Sequence, residues 1–139
     1  MDDLDRDRQA NQWAMFLHFS LLAGFMVPYA GLIAPIVIWQ IKKEEFPEIN
    51  IHGKIVVNWI MSTLIYGLGL VCVYLTVIGL FFVLLRGVNS FFLFAYSYPI
   101  IILISVVFGI LNVIFPIIGG IKAKNGVVWK YPLSLRILQ

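Results

Sequence analysis

The sequence predicts an all-α integral membrane protein, a bundle of three to four helical segments with an extended C-terminal segment at the membrane surface. The first observation is composition: 61% of the residues are hydrophobic and 12% are charged, against about 45–50% and about 25% in soluble domains. The second is three runs without a charged residue, Trp13 to Ile41, Ile55 to Leu85 and Gly87 to Ile121. Each run exceeds the roughly 20 apolar residues that cross a bilayer as a helix. The runs do not alternate between apolar and polar residues, which argues against a transmembrane barrel.

A single membrane domain over 1–139 is predicted from the length of the chain. We expect helices near 9–26, 31–42, 53–79 and 99–121, a cytoplasmic loop over 42–54, an interfacial aromatic excursion over 80–98 and a C-terminal strap over 122–139.

The first apolar run is predicted to be broken between Pro28 and Pro35. One straight helix over its 29 residues would be about 43 Å long, and each proline removes a backbone hydrogen bond. The run therefore either crosses once or turns back as a short or re-entrant hairpin. A single crossing places three basic residues outside, whereas the hairpin leaves only Arg86 outside and nine basic residues inside. The positive-inside rule favours the hairpin and a cytoplasmic C-terminus.

The two later spans are separated by the turn signal RGVNS and by the aromatic stretch FFLFAYSY, which suits the membrane–water interface. Pro99 suits the first turn of the last span, where its missing N–H has no partner in any case.

The C-terminal segment follows the turn signal Asn125-Gly126 and alternates apolar with polar residues, as an extended segment does. Four aromatic residues are predicted to anchor the protein at the membrane interface: Trp39, Trp59, Trp129 and Tyr131.

Polar residues inside or beside the apolar runs are the candidate structural or functional residues, because such groups face protein or water rather than lipid. They are His18, His52, Lys54, Asn58 and Asn112. Pro116 lies four residues after Asn112 and predicts a third kink there. Lys54 and Asn58 share a helical face, and we expect His52 and Asn58 to fix the start of this helix against the C-terminal strap.

No catalytic motif occurs in the chain, so no enzymatic activity, catalytic residue or cofactor is predicted. His18 has no His, Cys or carboxylate three or four residues away, so no local metal site is predicted. The ten basic residues flank the apolar runs, which indicates membrane orientation rather than nucleic-acid binding. The single cysteine, Cys72, excludes an intramolecular disulfide.

Three stretches resemble a bacterial membrane family of largely unknown function: HFSLLAGF, APIVIWQIKKEEFPEINIHGKIVVNWIMS and GILNVIFPIIGGIKAKNGVVWKYPLSLRIL. Their most specific parts are the pattern of His52, Gly53, Lys54 and Asn58, and the stretch FPIIGGIKAKNG. That family is similar to the twenty-kilodalton channel-like component of the chloroplast inner-envelope import translocon (Tic-twenty-like), and it includes magnetosome membrane proteins implicated in crystal maturation. The resemblance implies a small helical bundle without known enzymatic chemistry.

The sequence therefore predicts a non-enzymatic scaffold or accessory subunit in the bacterial inner (cytoplasmic) membrane. Its expected partners are the lipid bilayer and either further copies of itself or another membrane protein. The alternative is a small transport, channel or protein-translocation component lined by the intramembrane polar residues.

Overall fold

The computed structural model describes residues 3–27, 29–84 and 90–139, and these residues form four α-helices and no strand. Helix α1 (Asp3–Phe19) continues into a 3₁₀ helix (Ser20–Phe25), and α2 (Ala30–Lys42), α3 (Ile49–Leu84) and α4 (Ser90–Lys124) follow. The whole of α3 and the Ser97–Lys124 part of α4 are long and apolar enough to cross a membrane, and almost no residue of their most apolar stretches is buried. The all-helical prediction is therefore confirmed for the described residues, and two of the helices have the length and composition of membrane spans.

The first apolar run turns back on itself. The 3₁₀ helix packs closely against α2, since a Cβ added at Gly31 would lie 3.1 Å from the Cα of Gly24. At the other end of this hairpin, Arg6 of α1 forms an ion pair of 3.5 Å with Glu48, which follows α2. The chain therefore has the hairpin geometry that the positive-inside count favours.

The prolines do not end the helices in which they lie. Pro35 lies inside α2 and Pro116 inside α4, both fully buried, and each helix continues past its proline. The two arms of the hairpin are separated between Phe25 and Ala30, close to the predicted helix ends near 26 and 31, and Tyr29 adopts a left-handed conformation with a φ of 66° just before α2. The predicted kink at Pro28 lies outside the described residues.

The loop after α2 is shorter than predicted. Helix α3 begins at Ile49 rather than near residue 53, so His52 and Lys54 are helical. Phe46 and Ile49 are buried in the core although acidic residues surround them. Burial of these two side chains fixes the loop, whereas the sequence pattern indicated only a solvated turn.

The aromatic excursion predicted over 80–98 is corrected by the described residues on both sides of 85–89. Residues 80–84 belong to α3 and residues 90–98 to α4, so Pro99 is inside α4 rather than in its first turn. Backbone groups without partners are costly in lipid, which favours continuing a helix through a glycine or a proline.

The chain forms two compact units, where the sequence predicted a single domain. The first unit comprises Met1–Ser62 and Asn112–Gln139, and the second comprises Thr63–Leu111. The core of the first unit contains Ala10, Ala14, Leu17, Phe46, Ile49, Val56, Ile60 and Ala123. In the second unit Tyr66 of α3 contacts Phe108 of α4, with their ring centroids 6.0 Å apart.

Helix α4 ends as the Asn125-Gly126 signal predicts. Gly126 has a φ of 72°, its N–H donates to the carbonyl of Ala123, and the N–H of Val127 donates to the carbonyl of Lys122. These two bonds form a Schellman motif, which stops a helix and redirects the chain. The segment 127–139 then runs without helix or strand along the first unit.

Candidate functional site: a buried polar cluster in the first unit

Three side chains from three elements form a buried hydrogen-bonded chain. His18, near the end of α1, is fully buried. Its Nδ1 lies 2.6 Å from the hydroxyl of Tyr131 in the C-terminal segment, and its Nε2 lies 3.0 Å from Nδ1 of His52 in α3. The chain of contacts therefore links α1, α3 and the C-terminal segment through a single imidazole.

The protons of this chain can be arranged in two ways. A neutral imidazole has one N–H donor and one bare nitrogen acceptor, so either Tyr131 donates to His18 and His18 donates to His52, or both bonds run in the opposite direction. Each arrangement gives every contact one donor and one acceptor. Burial raises the pKa of the Tyr131 phenol well above its usual range, so this hydroxyl keeps its proton at neutral pH. The cluster is thus suited to hold a neutral hydrogen-bond network.

Glycines on the neighbouring helices make room for these rings. A Cβ added at Gly119 of α4 would lie 2.8 Å from Cε1 of Tyr131 and 2.9 Å from Nδ1 of His18. Carbon atoms normally stay about 3.5–4.0 Å apart. Gly53 of α3 has the same role beside the indole of Trp39. The close approach of α4 to the histidine therefore requires glycine at Gly119.

Asn58 of α3 holds the C-terminal segment by its backbone. Its Oδ1 accepts hydrogen bonds from the N–H groups of Ile137 (3.1 Å) and Leu138 (2.7 Å), and its Nδ2 donates to the carbonyl of Leu138 (3.0 Å). An extended segment needs partners for its backbone groups, and here a side-chain amide supplies them in place of a neighbouring strand. The contact that the sequence predicted between Asn58 and this segment is present.

Asn58 is the middle member of a polar ladder on α3. The Oγ of Ser62 accepts a hydrogen bond from the N–H of Leu135 (2.8 Å), and the Nζ of Lys54 donates to the main-chain oxygen of Gln139 (2.5 Å). The three ladder residues are spaced four apart, so they lie on one face of the helix. We call this set of Lys54, Asn58 and Ser62 the α3 ladder.

Trp59 and Tyr131 are core residues rather than membrane anchors, which corrects the prediction for both. Trp59 is 1% exposed and Tyr131 is 4% exposed. The Nε1–H of Trp59 donates to Oδ1 of Asn112 (3.1 Å), and its ring centroid lies 5.0 Å from that of Phe115. Asn112, predicted beside a proline kink, therefore ties α4 to α3 through an indole.

The other two predicted anchors are half-buried. Trp39 of α2 donates to the side-chain oxygen of Asn50 (3.1 Å), and the ammonium of Lys122 lies 5.5 Å from the ring centroid of Trp129. Both indoles thus fasten helix ends within the first unit.

The structure brings most of the predicted polar residues together. His18, His52, Asn58 and Asn112 all lie in the first unit, each bonded to another part of the chain. Sequence reasoning missed Ser62, although its position four residues after Asn58 is a usable signal. Within residues 3–27, 29–84 and 90–139 no group of three His, Cys, Asp or Glu side chains could hold a metal ion.

Comparison with known proteins matches most of the chain to one protein family. Residues 9–138 match the model of a family described as the magnetosome magnetite crystal formation protein family (MamF_MmsF). Neither the curated proteins nor the solved structures contain a match to the chain.

Proposed function

The chain belongs to the magnetosome magnetite crystal formation protein family, and from this premise we propose that it is a non-enzymatic membrane accessory protein that acts in the formation of magnetite crystals. This proposal rests on the observation that the polar side chains hold the fold together. His18, Asn58 and Asn112 bond to other parts of the chain, and the long helices present exposed apolar surface. Polar groups used in this way stabilise a scaffold.

The test separates a structural role of the cluster from a chemical one. In a magnetite-forming bacterium, the gene is replaced by a variant carrying His18→Gln, whose amide can still donate and accept hydrogen bonds. Crystal size and number are measured by electron microscopy, and the folded protein in the membrane is quantified. We expect crystal size to follow the amount of folded protein. Loss of crystals with unchanged folded protein would indicate a chemical step and contradict the proposal.

We further propose that the protein is multi-pass, with both the start of α1 and the C-terminal segment on the cytoplasmic side of the inner membrane. The ion pair between Arg6 and Glu48 supports a common side for α1 and the loop after α2. In a Cys72→Ala background, single cysteines at positions 5, 48 and 125 should react with an impermeant thiol reagent from one side, and a cysteine at position 88 from the other. Labelling of positions 5 and 48 from opposite sides would exclude the hairpin topology.

Assembly with further copies or with a partner membrane protein is part of the same proposal. In the second unit, α3 and α4 expose apolar faces that a second copy or a partner membrane protein could cover. Native mass spectrometry in mild detergent should detect oligomers or a co-purifying protein. A monomer alone would argue against a scaffold.

The alternative is a transport, channel or protein-translocation component, in line with the resemblance to the chloroplast translocon component. The buried hydrogen-bonded chain of His18, His52 and Tyr131 favours it, because chains of this type can conduct protons. Reconstituted protein would then show a proton flux that Tyr131→Phe abolishes, whereas an accessory protein shows none.

A further inference from the structure

A basic pocket lies between the first turns of α3 and the C-terminal segment. Its volume is about 550 Å³, within the range of small-molecule sites. Three cationic side chains line it, Lys54, Lys130 and Arg136, and no acidic side chain of the described residues does. The pocket therefore has the charge of an anion-binding site.

The cations of the pocket keep hydrogen-bond donors for a ligand. Lys54 donates to the main-chain oxygen of Gln139, the last residue of the structure, but an ammonium group has three donors. Lys130 and Arg136 form no ion pair with any of the described residues. Since like charges in one pocket repel one another, a bound anion would relieve this repulsion and accept charge-assisted hydrogen bonds.

A hydroxyl in the pocket wall points to the same ligand chemistry. Ser134 lines the pocket, and its Oγ is buried with no hydrogen-bond partner among the described residues. A buried hydroxyl without a partner is costly. A phosphate oxygen would accept its proton, as it would accept the protons of the neighbouring cations.

The remaining wall of the pocket favours a lipid as the source of the anion. Ile51, Ile55 and Leu138 supply apolar surface beside the charges. Lys54 is the last charged residue before the charge-free run of α3, so it lies at the depth where lipid phosphates meet basic side chains. We propose that this pocket binds the phosphate group of an anionic phospholipid.

The decisive experiment compares two double variants of the full chain by native mass spectrometry with phosphatidylglycerol. Lys130→Gln with Arg136→Gln removes two charges from the pocket, and Lys43→Gln with Lys124→Gln removes two charges elsewhere. We expect the affinity for phosphatidylglycerol to fall about tenfold in the pocket variant, which corresponds to the loss of roughly one charge-assisted contact. The control variant should keep the affinity of the wild type. Equal affinity in both variants would overturn the proposal.

Ser134→Ala provides a second variant that should keep the fold intact. It removes the buried hydroxyl, so the unfolding midpoint should stay the same or rise while phosphatidylglycerol binding weakens severalfold. Unchanged lipid binding in this variant would count against the proposed contact.

Two further probes identify the ligand class. Wild-type protein should prefer phosphatidylglycerol to zwitterionic phosphatidylcholine, and millimolar inorganic phosphate should not displace the lipid. Displacement by phosphate would overturn the lipid assignment in favour of a soluble phosphate. Stronger binding of an oligoglutamate peptide would overturn it in favour of an acidic protein partner.

Discussion

Replacing Gly119 with alanine should destabilise the protein, although the same change at Gly109 of the same helix should stabilise it. An alanine Cβ at Gly119 would overlap Tyr131 and His18, at 2.8 and 2.9 Å, and both rings are buried and hydrogen-bonded to each other. Overpacking lowers the stability of the folded protein by about 1–3 kcal/mol, and the higher helix propensity of alanine raises it by about 0.5–1 kcal/mol. We expect a net loss of about 1–2 kcal/mol.

Gly109→Ala is the matched control, since among the described residues no atom beyond its own turn of helix lies within 4 Å of the added Cβ. It should gain only the higher helix propensity of alanine, so the free energies of unfolding of the two variants should differ by about 1–3 kcal/mol. The free energy of unfolding can be measured by titrating sodium dodecyl sulfate into dodecyl maltoside micelles and following tryptophan fluorescence.

A second control identifies the clashing partner. Tyr131→Ala removes the ring nearest to the added Cβ, so Gly119→Ala should cost less in that background than in the wild type. If Gly119→Ala proves as stable as Gly109→Ala, the close packing of α4 on the polar cluster is refuted.

Three further predictions concern the cluster and the α3 ladder. Tyr131→Phe leaves Nδ1 of His18 without its partner and should cost about 1–3 kcal/mol; a double-mutant cycle with His18→Phe should then give a coupling energy of about 0.5–3 kcal/mol, and additivity would disprove the bond. Because burial raises the pKa of Tyr131, the folded protein keeps a proton that the unfolded chain loses above about pH 10. The free energy of unfolding should therefore not depend on this group below that pH and should fall by about 1.4 kcal/mol per pH unit above it. Tyr131→Phe should remove this slope. Asn58→Leu deletes three hydrogen bonds to the C-terminal segment and should speed tryptic cleavage after Arg136, whereas an unchanged cleavage rate would show that other contacts hold the segment.

Features that depend on neighbouring residues could be predicted from the sequence. The helical membrane class follows from charge-free runs, which are visible in one dimension. The end of α4 follows from Asn125-Gly126, because glycine alone adopts the required left-handed backbone without strain. The position of Asn58 on the face of Lys54 follows from the four-residue spacing.

Features that depend on distant residues could not be predicted. His18 meets Tyr131, which is 113 residues away, and nothing near either residue in the sequence indicates the other. Trp59 and Tyr131 have side chains that suit both a membrane interface and a protein core. Trp59 and Tyr131 are buried because α1 and α4 pack around their rings, and Gly119 leaves the space for this packing.

The predicted end of α3 near Gly79 and the predicted start of α4 at Pro99 are wrong for a physical reason. Gly79 and Pro99 are usual signals of a helix boundary in water, where the freed backbone groups bind solvent. In an apolar environment the same groups have no solvent partner, and extending the helix is favoured despite the loss of one bond at the proline. The described part of the chain accordingly shows α3 passing Gly79 and α4 passing Pro99.

The C-terminal segment is both the element that the α3 ladder holds and one wall of the basic pocket, so the two properties should be coupled. Ser62 tests this coupling because it bonds to the N–H of Leu135 but does not line the pocket. Ser62→Ala should loosen the segment, speed tryptic cleavage after Arg136 and weaken phosphatidylglycerol binding severalfold.

Linkage requires the reverse effect as well. A lipid that binds only when the segment is in place must slow cleavage after Arg136 in the wild type. The protection should grow with the lipid concentration c as RT ln(1 + c/Kd). Phosphatidylcholine should give no such protection. If phosphatidylglycerol binds tightly and yet leaves the cleavage rate unchanged, the segment is not part of the lipid site, and the α3 ladder holds it for the stability of the first unit alone.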